Sequence, residues 1–182
     1  MSSSDFRTAL GNSDLLFDHA ALVAAIQRIG TAIDRHYLAA QRTPVFLTVM
    51  NGGLILAGHL ALACRSDFRF DYVHATRYRS GTEGAQLQWV ATPRTALAGR
   101  QVLLVDDILD EGKTLKEIRQ WCLDHGAAEV AIAVLCRKDH DRCVGGIAAD
   151  FTGVIVPDRY VYGFGMDYQE HGRNLDGIYA LR

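Results

Sequence analysis

No apolar run in this chain approaches the roughly 18 consecutive residues that a membrane-spanning helix needs, so no membrane partner is expected. The start, Met1-Ser2-Ser3-Ser4-Asp5, is polar and has no signal-peptide core. The four cysteines, Cys64, Cys122, Cys136 and Cys143, form no C-x-x-C pair. They read as reduced thiols of a cytoplasmic protein. Cys136, His140 and Cys143 lie close together, but a fourth ligand at suitable spacing is missing and Cys136 ends an apolar strand, which argues against a zinc site. Charge of one sign is also missing. With 19 basic and 21 acidic residues, a net charge of -2 and a pI near 6.4, there is no electrostatic case for nucleic acid as the partner. A small anionic ligand remains open, because one local cluster of donors suffices. There is no internal repeat, low-complexity tract or linker-like break, so residues 1–182 are expected to form a single domain. Its 49% hydrophobic and 22% charged residues are ordinary for a globular protein with a sizeable core.

What is present is a series of apolar strands and amphipathic helices. Residues 1–13 read as a loose arm. From about Asp14 to Ala40, Leu22, Ile26, Ile29, Ile33 and Tyr37 fall at helical spacing on one face, and Pro44 blocks continuation. Val45 to Met50 reads as a strand, Asn51-Gly52-Gly53 as a turn, and Leu54 to Cys64 as a helix. Phe68 to Tyr78 is a strand rich in aromatic and β-branched residues. Arg79 to Gln86 reads as a polar loop, with Leu87 to Val90 returning from it. Val102 to Val105 is a strand, and a helix follows from about Gly112 to His125, stopped by Gly126. Val130 to Leu135 is another unbroken apolar strand. Such runs fit parallel strands covered on both faces, and the alternation of strands and helices predicts an α/β open sheet. In such sheets ligands sit at the carboxyl ends of the strands.

The densest chemistry lies from Val102 to Leu115. Four apolar residues run into Asp106 and Asp107, then Ile108, Leu109, Asp110, Glu111, Gly112, Lys113 and Thr114. Gly112-Lys113-Thr114 is not a Walker P-loop, because Asp107 stands where that motif needs its first glycine. Asp106 and Asp107 could simply cap a helix and face solvent. With Asp110, Gly112 and Thr114 close behind, another reading gains weight: successive backbone N–H groups form a nest for a phosphate, and the paired acids sit at ribose distance. Asp110, inside the loop, could act as a general base. Lys138 by itself reads as part of a solvated basic turn. Asp167, in an apolar and glycine-rich stretch, must be paired or bind a cation. Tyr160 could be core or could stack on a planar ligand. Asn51-Gly52-Gly53 is by default a tight turn whose amides could hold an anion.

Val102 to Leu115 resembles the phosphoribosyl pyrophosphate (PRPP) binding motif of the type I phosphoribosyltransferase family. Met50 to Leu60 is similar to the family's pyrophosphate loop and following helix, and Tyr72 to Gly84 to its flexible catalytic loop. Val156 to Tyr168 is similar to the purine-binding tail of the 6-oxopurine, hypoxanthine-guanine branch. The likeness covers nearly everything from about residue 14 onward. It implies a mostly parallel central sheet flanked by helices, with a small hood formed by the N- and C-terminal segments and a flexible catalytic loop.

The resemblance implies the following roles. Asp106 and Asp107 would hold the ribose hydroxyls, directly or through Mg2+. Asp110, Glu111, Gly112, Lys113 and Thr114 would cradle the 5′-phosphate, with Asp110 also the acid/base group near purine N7. Asn51, Gly52 and Arg173 would serve the pyrophosphate. Lys138 would donate to O6 of the purine, Tyr160 would stack on it, and the Val161 backbone would read its edge. Asp167 would help place a second Mg2+. Tyr78, Arg79 and Ser80 would belong to the closing loop. The implied substrates are PRPP and a 6-oxopurine base, and the implied assembly is a homodimer or homotetramer. Four positions depart from the family pattern: Asn51 where a basic residue is usual, Arg77 where a serine is common, Glu111 for a small threonine, and Tyr160 for phenylalanine. Two rivals stand beside purine salvage: a xanthine-preferring phosphoribosyltransferase and a non-catalytic sensor of PRPP or nucleotides. The second usually carries an added nucleic-acid surface, for which this chain shows no basic excess.

Overall fold

A computed structural model describes residues 3–38, 43–77 and 87–182. In chain order the elements are α1 (Ser3–Gly11), β1 (Ser13–Phe17), α2 (His19–Leu38), β2 (Val45–Met50), α3 (Leu54–Ala63), β3 (Arg69–Arg77), β4 (Leu87–Ala91), β5 (Gln101–Leu109), α4 (Lys113–Asp124), β6 (Glu129–Asp139), β7 (Phe151–Pro157), β8 (Val161–Tyr162) and β9 (Ile178–Leu181). Six strands form the central sheet in the order β4-β3-β2-β5-β6-β7. All its pairings are parallel except β3 with β4. A smaller antiparallel sheet, β1-β9-β8, joins the two ends of the chain as the hood.

The apolar runs behave as expected for strands covered twice. Val102, Leu103, Leu104 and Val105 are fully buried. Leu103 and Val105 pack with Leu22, Ile26, Leu56 and Leu60 of α2 and α3. Val102 and Leu104 pack on the other side with Leu115, Ile118 and Cys122 of α4. Each such side chain removed from water contributes roughly 1.5–3 kcal/mol, so this three-layer sandwich holds the strand ends rigidly in place. At the far end of α4, His125 and then Gly126, in a left-handed conformation (φ 83°), end the helix. The Gly126 and Ala127 amides donate to the Leu123 and Cys122 carbonyls.

Two boundary expectations need correction. Residues 1–13 are not a loose arm throughout: Ser3–Gly11 is helical. The helix expected from Asp14 starts at His19, because Ser13–Phe17 is a strand paired with β9. Asp18 marks the true start, accepting the Ala21 amide at 2.8 Å as a helix cap. The local helical pattern could not reveal a strand partner more than 160 residues away.

Candidate active site

The site grows from β5. Its apolar part ends at Val105, but the strand continues to Leu109, still paired with β6 through Asp106–Val134 and Ile108–Cys136. The paired acids therefore lie inside the strand rather than past its end. Alternation of faces slips here: Ile108 joins the α2–α3 side and Leu109 the α4 side. Across this slip, Asp106 and Asp107 both line one cavity of about 840 Å³. The Asn51-Gly52-Gly53 turn at the end of β2 closes against them, with a cis Met50–Asn51 peptide and a Gly53 amide bonded to the Val49 carbonyl at 2.9 Å. A Cβ on Gly52 would overlap the Asp107 carboxylate, so only glycine lets the turn approach the acid this closely.

Burial sets the charge state of the acids. Asp107 is 8% exposed, while Asp106 keeps part of its surface on the cavity. Loss of water pushes the Asp106 carboxyl well above the usual carboxylate range, and the neighbouring Asp107 charge pushes it further. Burial also raises Asp107, against the opposing pull of a hydrogen bond from Asp106 and the charge of Arg173. Two crowded acids that resist ionisation are a site prepared for a cation or for hydroxyl donors.

Asp110 is the opposite case. Burial raises its carboxyl, but hydrogen bonds from Lys138 and His140 outweigh that and hold it below the usual range. Lys138 Nζ lies 2.7 Å from Oδ2 and His140 Nε2 lies 2.7 Å from Oδ1. Gly112 then caps α4 in a left-handed conformation (φ 76°) and brings no side chain to the first-turn amides. Residues 110–115 all line the cavity, so the positive end of the helix dipole faces it. Glu111 and Lys113 pair with each other at 2.6 Å, both about half exposed. Lys113 thus offsets the acid where a phosphate loop would tolerate it least.

Residues 12–168 match the phosphoribosyl transferase domain family. The chain belongs to that family. The hypoxanthine-guanine phosphoribosyltransferase of Streptococcus pneumoniae is 31% identical over 169 residues, 92% of each chain. That of Lactococcus lactis is 28% identical over 92% of this chain and 90% of its own length. The fold recurs in the hypoxanthine phosphoribosyltransferase of Staphylococcus aureus, with a TM-score of 0.87 and 24% identity over 100% of this chain and 97% of that one. It recurs again in the Trypanosoma cruzi enzyme, with a TM-score of 0.85 and 25% identity over 93% and 91%.

Measured against that phosphoribosyltransferase frame, most expected residues converge. Asn51, Gly52, Asp106, Asp107, Asp110, Glu111, Gly112, Lys113, Thr114 and Arg173 share the cavity. Lys138, Tyr160, Val161 and Asp167 lie outside its lining, with Lys138 tied to it through Asp110. Lys138 is not on a solvated turn: β6 runs on to Asp139, and the Lys138 side chain is 13% exposed. Tyr160 is half exposed, its ring edge-on to Tyr168 and its hydroxyl donating to the Asp167 carbonyl at 3.2 Å. Val161 is buried in β8 opposite Ala180. Asp167 is paired: Oδ1 meets Arg173 at 2.7 Å and Oδ2 accepts the Glu170 amide. Arg173 also donates to the Gly165 carbonyl. Tyr78, Arg79 and Ser80 lie outside the described residues, as does the Arg77 side chain. Sequence reasoning missed His74, Thr76 and Glu170, which line the cavity, and weighed His140 only as a zinc ligand, not as a partner of Asp110. The alternation of β3 could have flagged His74 and Thr76, but nothing local pairs His140 with Asp110.

Proposed function

We propose that this chain transfers the phosphoribosyl group from PRPP to hypoxanthine or guanine, giving IMP or GMP and pyrophosphate. The observation that carries this reading is the cavity that brings the Asp106–Asp107 pair, the 110–115 loop, the Gly52 turn and Arg173 together. The central sheet and the hood would work as one domain. The 5′-phosphate would lie on the amides of the 110–115 loop, and the ribose hydroxyls would meet Asp106 and Asp107. Asn51, Gly52 and Arg173 would receive the pyrophosphate, whose negative charge grows as its bond to the anomeric carbon breaks. Purine N9 supplies the electron pair of the new bond, and the proton leaves N7 for Asp110. The carboxylate can still accept there, since its two oxygens offer about four lone-pair positions and two are used.

The donor set fits Mg2+ bound largely by the substrate. Among the described residues, no group of three or more acidic, histidine or cysteine side chains gathers around a metal position. Mg2+ typically takes one or two carboxylates and completes its shell with water and phosphate oxygens. Asp106 and Asp107 would be those carboxylates, and Asp167 would contribute to a second ion once released from Arg173. Held there, Mg2+ would neutralise charge on the pyrophosphate. Lys138 would donate to O6 with a proton not engaged by Asp110. Adenine would set its own amino donor against the ammonium, which disfavours it. Tyr160 would stack on the base, and the Val161 backbone would read its edge. A homodimer or homotetramer is supported by the exposed apolar side chains Leu54, Leu62, Phe70 and Tyr72. Placement in the cytoplasm is supported by four unpaired thiols.

Nucleotide formation from PRPP and Mg2+ with hypoxanthine, guanine, xanthine and adenine in parallel tests the reading. Turnover with hypoxanthine or guanine and little with adenine is expected. PRPP binding without turnover on any base would overturn it and leave a sensor of PRPP.

A further inference from the structure

His140 has no part in the roles above, yet it makes a short contact to the proposed acid/base group. Its side chain is 4% exposed and its Nε2 lies 2.7 Å from Asp110 Oδ1. On the far side of the ring, the Arg142 backbone N–H donates to Nδ1 at 3.1 Å. A backbone amide can only donate, so Nδ1 is the acceptor and Nε2 carries the hydrogen. The ring thus points its Nε2–H at Asp110 in one fixed direction.

We propose that His140 is a positioning residue that orients the Asp110 carboxylate for proton transfer; this rests on the acid/base role proposed for Asp110. Lys138 cannot do this alone. Its ammonium is a compact charge with three rotatable donors, and it holds only Oδ2. A rigid ring N–H on Oδ1 fixes the carboxylate plane, leaving the remaining lone pairs toward the cavity that Asp110 lines. The His140 loop is itself anchored. Arg142 grips Asp158, just past β7, through two bonds of 2.6 and 2.7 Å. The Val144 amide donates to the Glu111 carbonyl at 2.9 Å, and Lys116 Nζ donates to the Gly145 carbonyl at 2.8 Å. These bonds fasten the loop to the segment that would hold the phosphate, so His140 couples Asp110 to a frame that does not depend on the substrate.

The test compares wild type, His140→Leu and His140→Gln in steady-state nucleotide formation with PRPP, Mg2+ and hypoxanthine across pH. The titratable and charged groups around Asp110 are Cys136, Lys138, His140 and Arg142 from β6 and its following loop, Asp158 past β7, which faces His140 and Lys138, and Glu111 on its own loop. His140→Leu is expected to lower kcat about tenfold, the scale of a small misplacement of a reacting group, with the PRPP KM within about twofold. The acid limb of the kcat profile should move to higher pH, because ionised Asp110 loses a donor. Gln carries a donor at a similar reach and should restore most of both. An unchanged kcat and acid limb in His140→Leu would overturn the inference while leaving the enzyme reading intact. Equal losses in both variants with the acid limb in place would also overturn it, leaving His140 a packing residue. A wild type without turnover would overturn the proposed function, and this inference with it.

Discussion

Asp106 illustrates a carboxylate whose burial costs stability, a cost consistent with the binding role proposed for it. Burial and the Asp107 charge raise its carboxyl above the usual range, so the folded chain holds a proton that the unfolded chain releases. A raised folded value means that the group's contribution to stability is present below the unfolded value, about 3.9, and is lost as pH rises through the folded one. Asn in its place keeps an oxygen for the Asp107 amide, which Asp106 accepts at 2.9 Å, and removes the ionisation. Asp106→Asn should therefore melt higher than wild type at pH 8 without ligand, with the gap closing toward pH 4. It should bind PRPP with Mg2+ more weakly. Calorimetric melts at both pH values, with PRPP titrations, check this; an Asn variant that melts lower at pH 8 would show the carboxylate is not strained. The acid pair was legible in the sequence because an apolar strand runs straight into it. His140 was not, because its partner Asp110 lies 30 residues earlier and meets it only across β5 and β6.

At the scale of elements, β5 and β6 both outrun their apolar segments. The sequence pattern stops at Val105 and Leu135, but the ladder between them continues to Leu109 and Arg137, since backbone pairing does not depend on side-chain polarity. That extension places Lys138 near Asp110. The turn into α4 depends on Gly112 twice over. Its φ is 76°, and a Cβ would meet the Ile147 side chain at 2.6 Å and the Leu109 side chain at 3.1 Å. Gly99 shares the conformation (φ 70°) with open space around it. Gly99→Ala should cost about 1–2 kcal/mol, the strain of a left-handed alanine alone. Gly112→Ala should cost more and should also weaken PRPP binding, because the 110–115 amides shift. Urea unfolding of both variants separates strain from collision, and equal losses would sink the collision argument.

At the scale of the whole molecule, the hood joins the ends of the chain to Tyr160 and Val161, the residues proposed to hold the purine. β9 is its middle strand, pairing with β1 on one side and β8 on the other, and Asp14 holds both Arg159 and Arg182 at 2.8 Å. Ile178 of β9 is fully buried in the main core beside Val161, Phe164 and Met166. Ile178→Ala should cost about 2–5 kcal/mol in urea unfolding. It should raise the hypoxanthine KM while leaving the PRPP KM within about twofold, because β8 follows Tyr160 whereas the cavity proposed for PRPP is built on β2 and β5. Equal increases in both constants would count against that division. The sequence alone determined the parallel sheet, the helix faces and the acid loop, because periodicity, glycine placement and a strand ending in carboxylates are written in neighbouring residues. Tertiary structure decided the rest. β1 became a strand because β9 was there to pair with it, the two acids reached one cavity because β5 changes face between them, and Asp110 stayed ionised because Lys138 and His140 came to it from β6 and the loop after it. Each depends on contact between residues far apart in the chain, which no local pattern encodes.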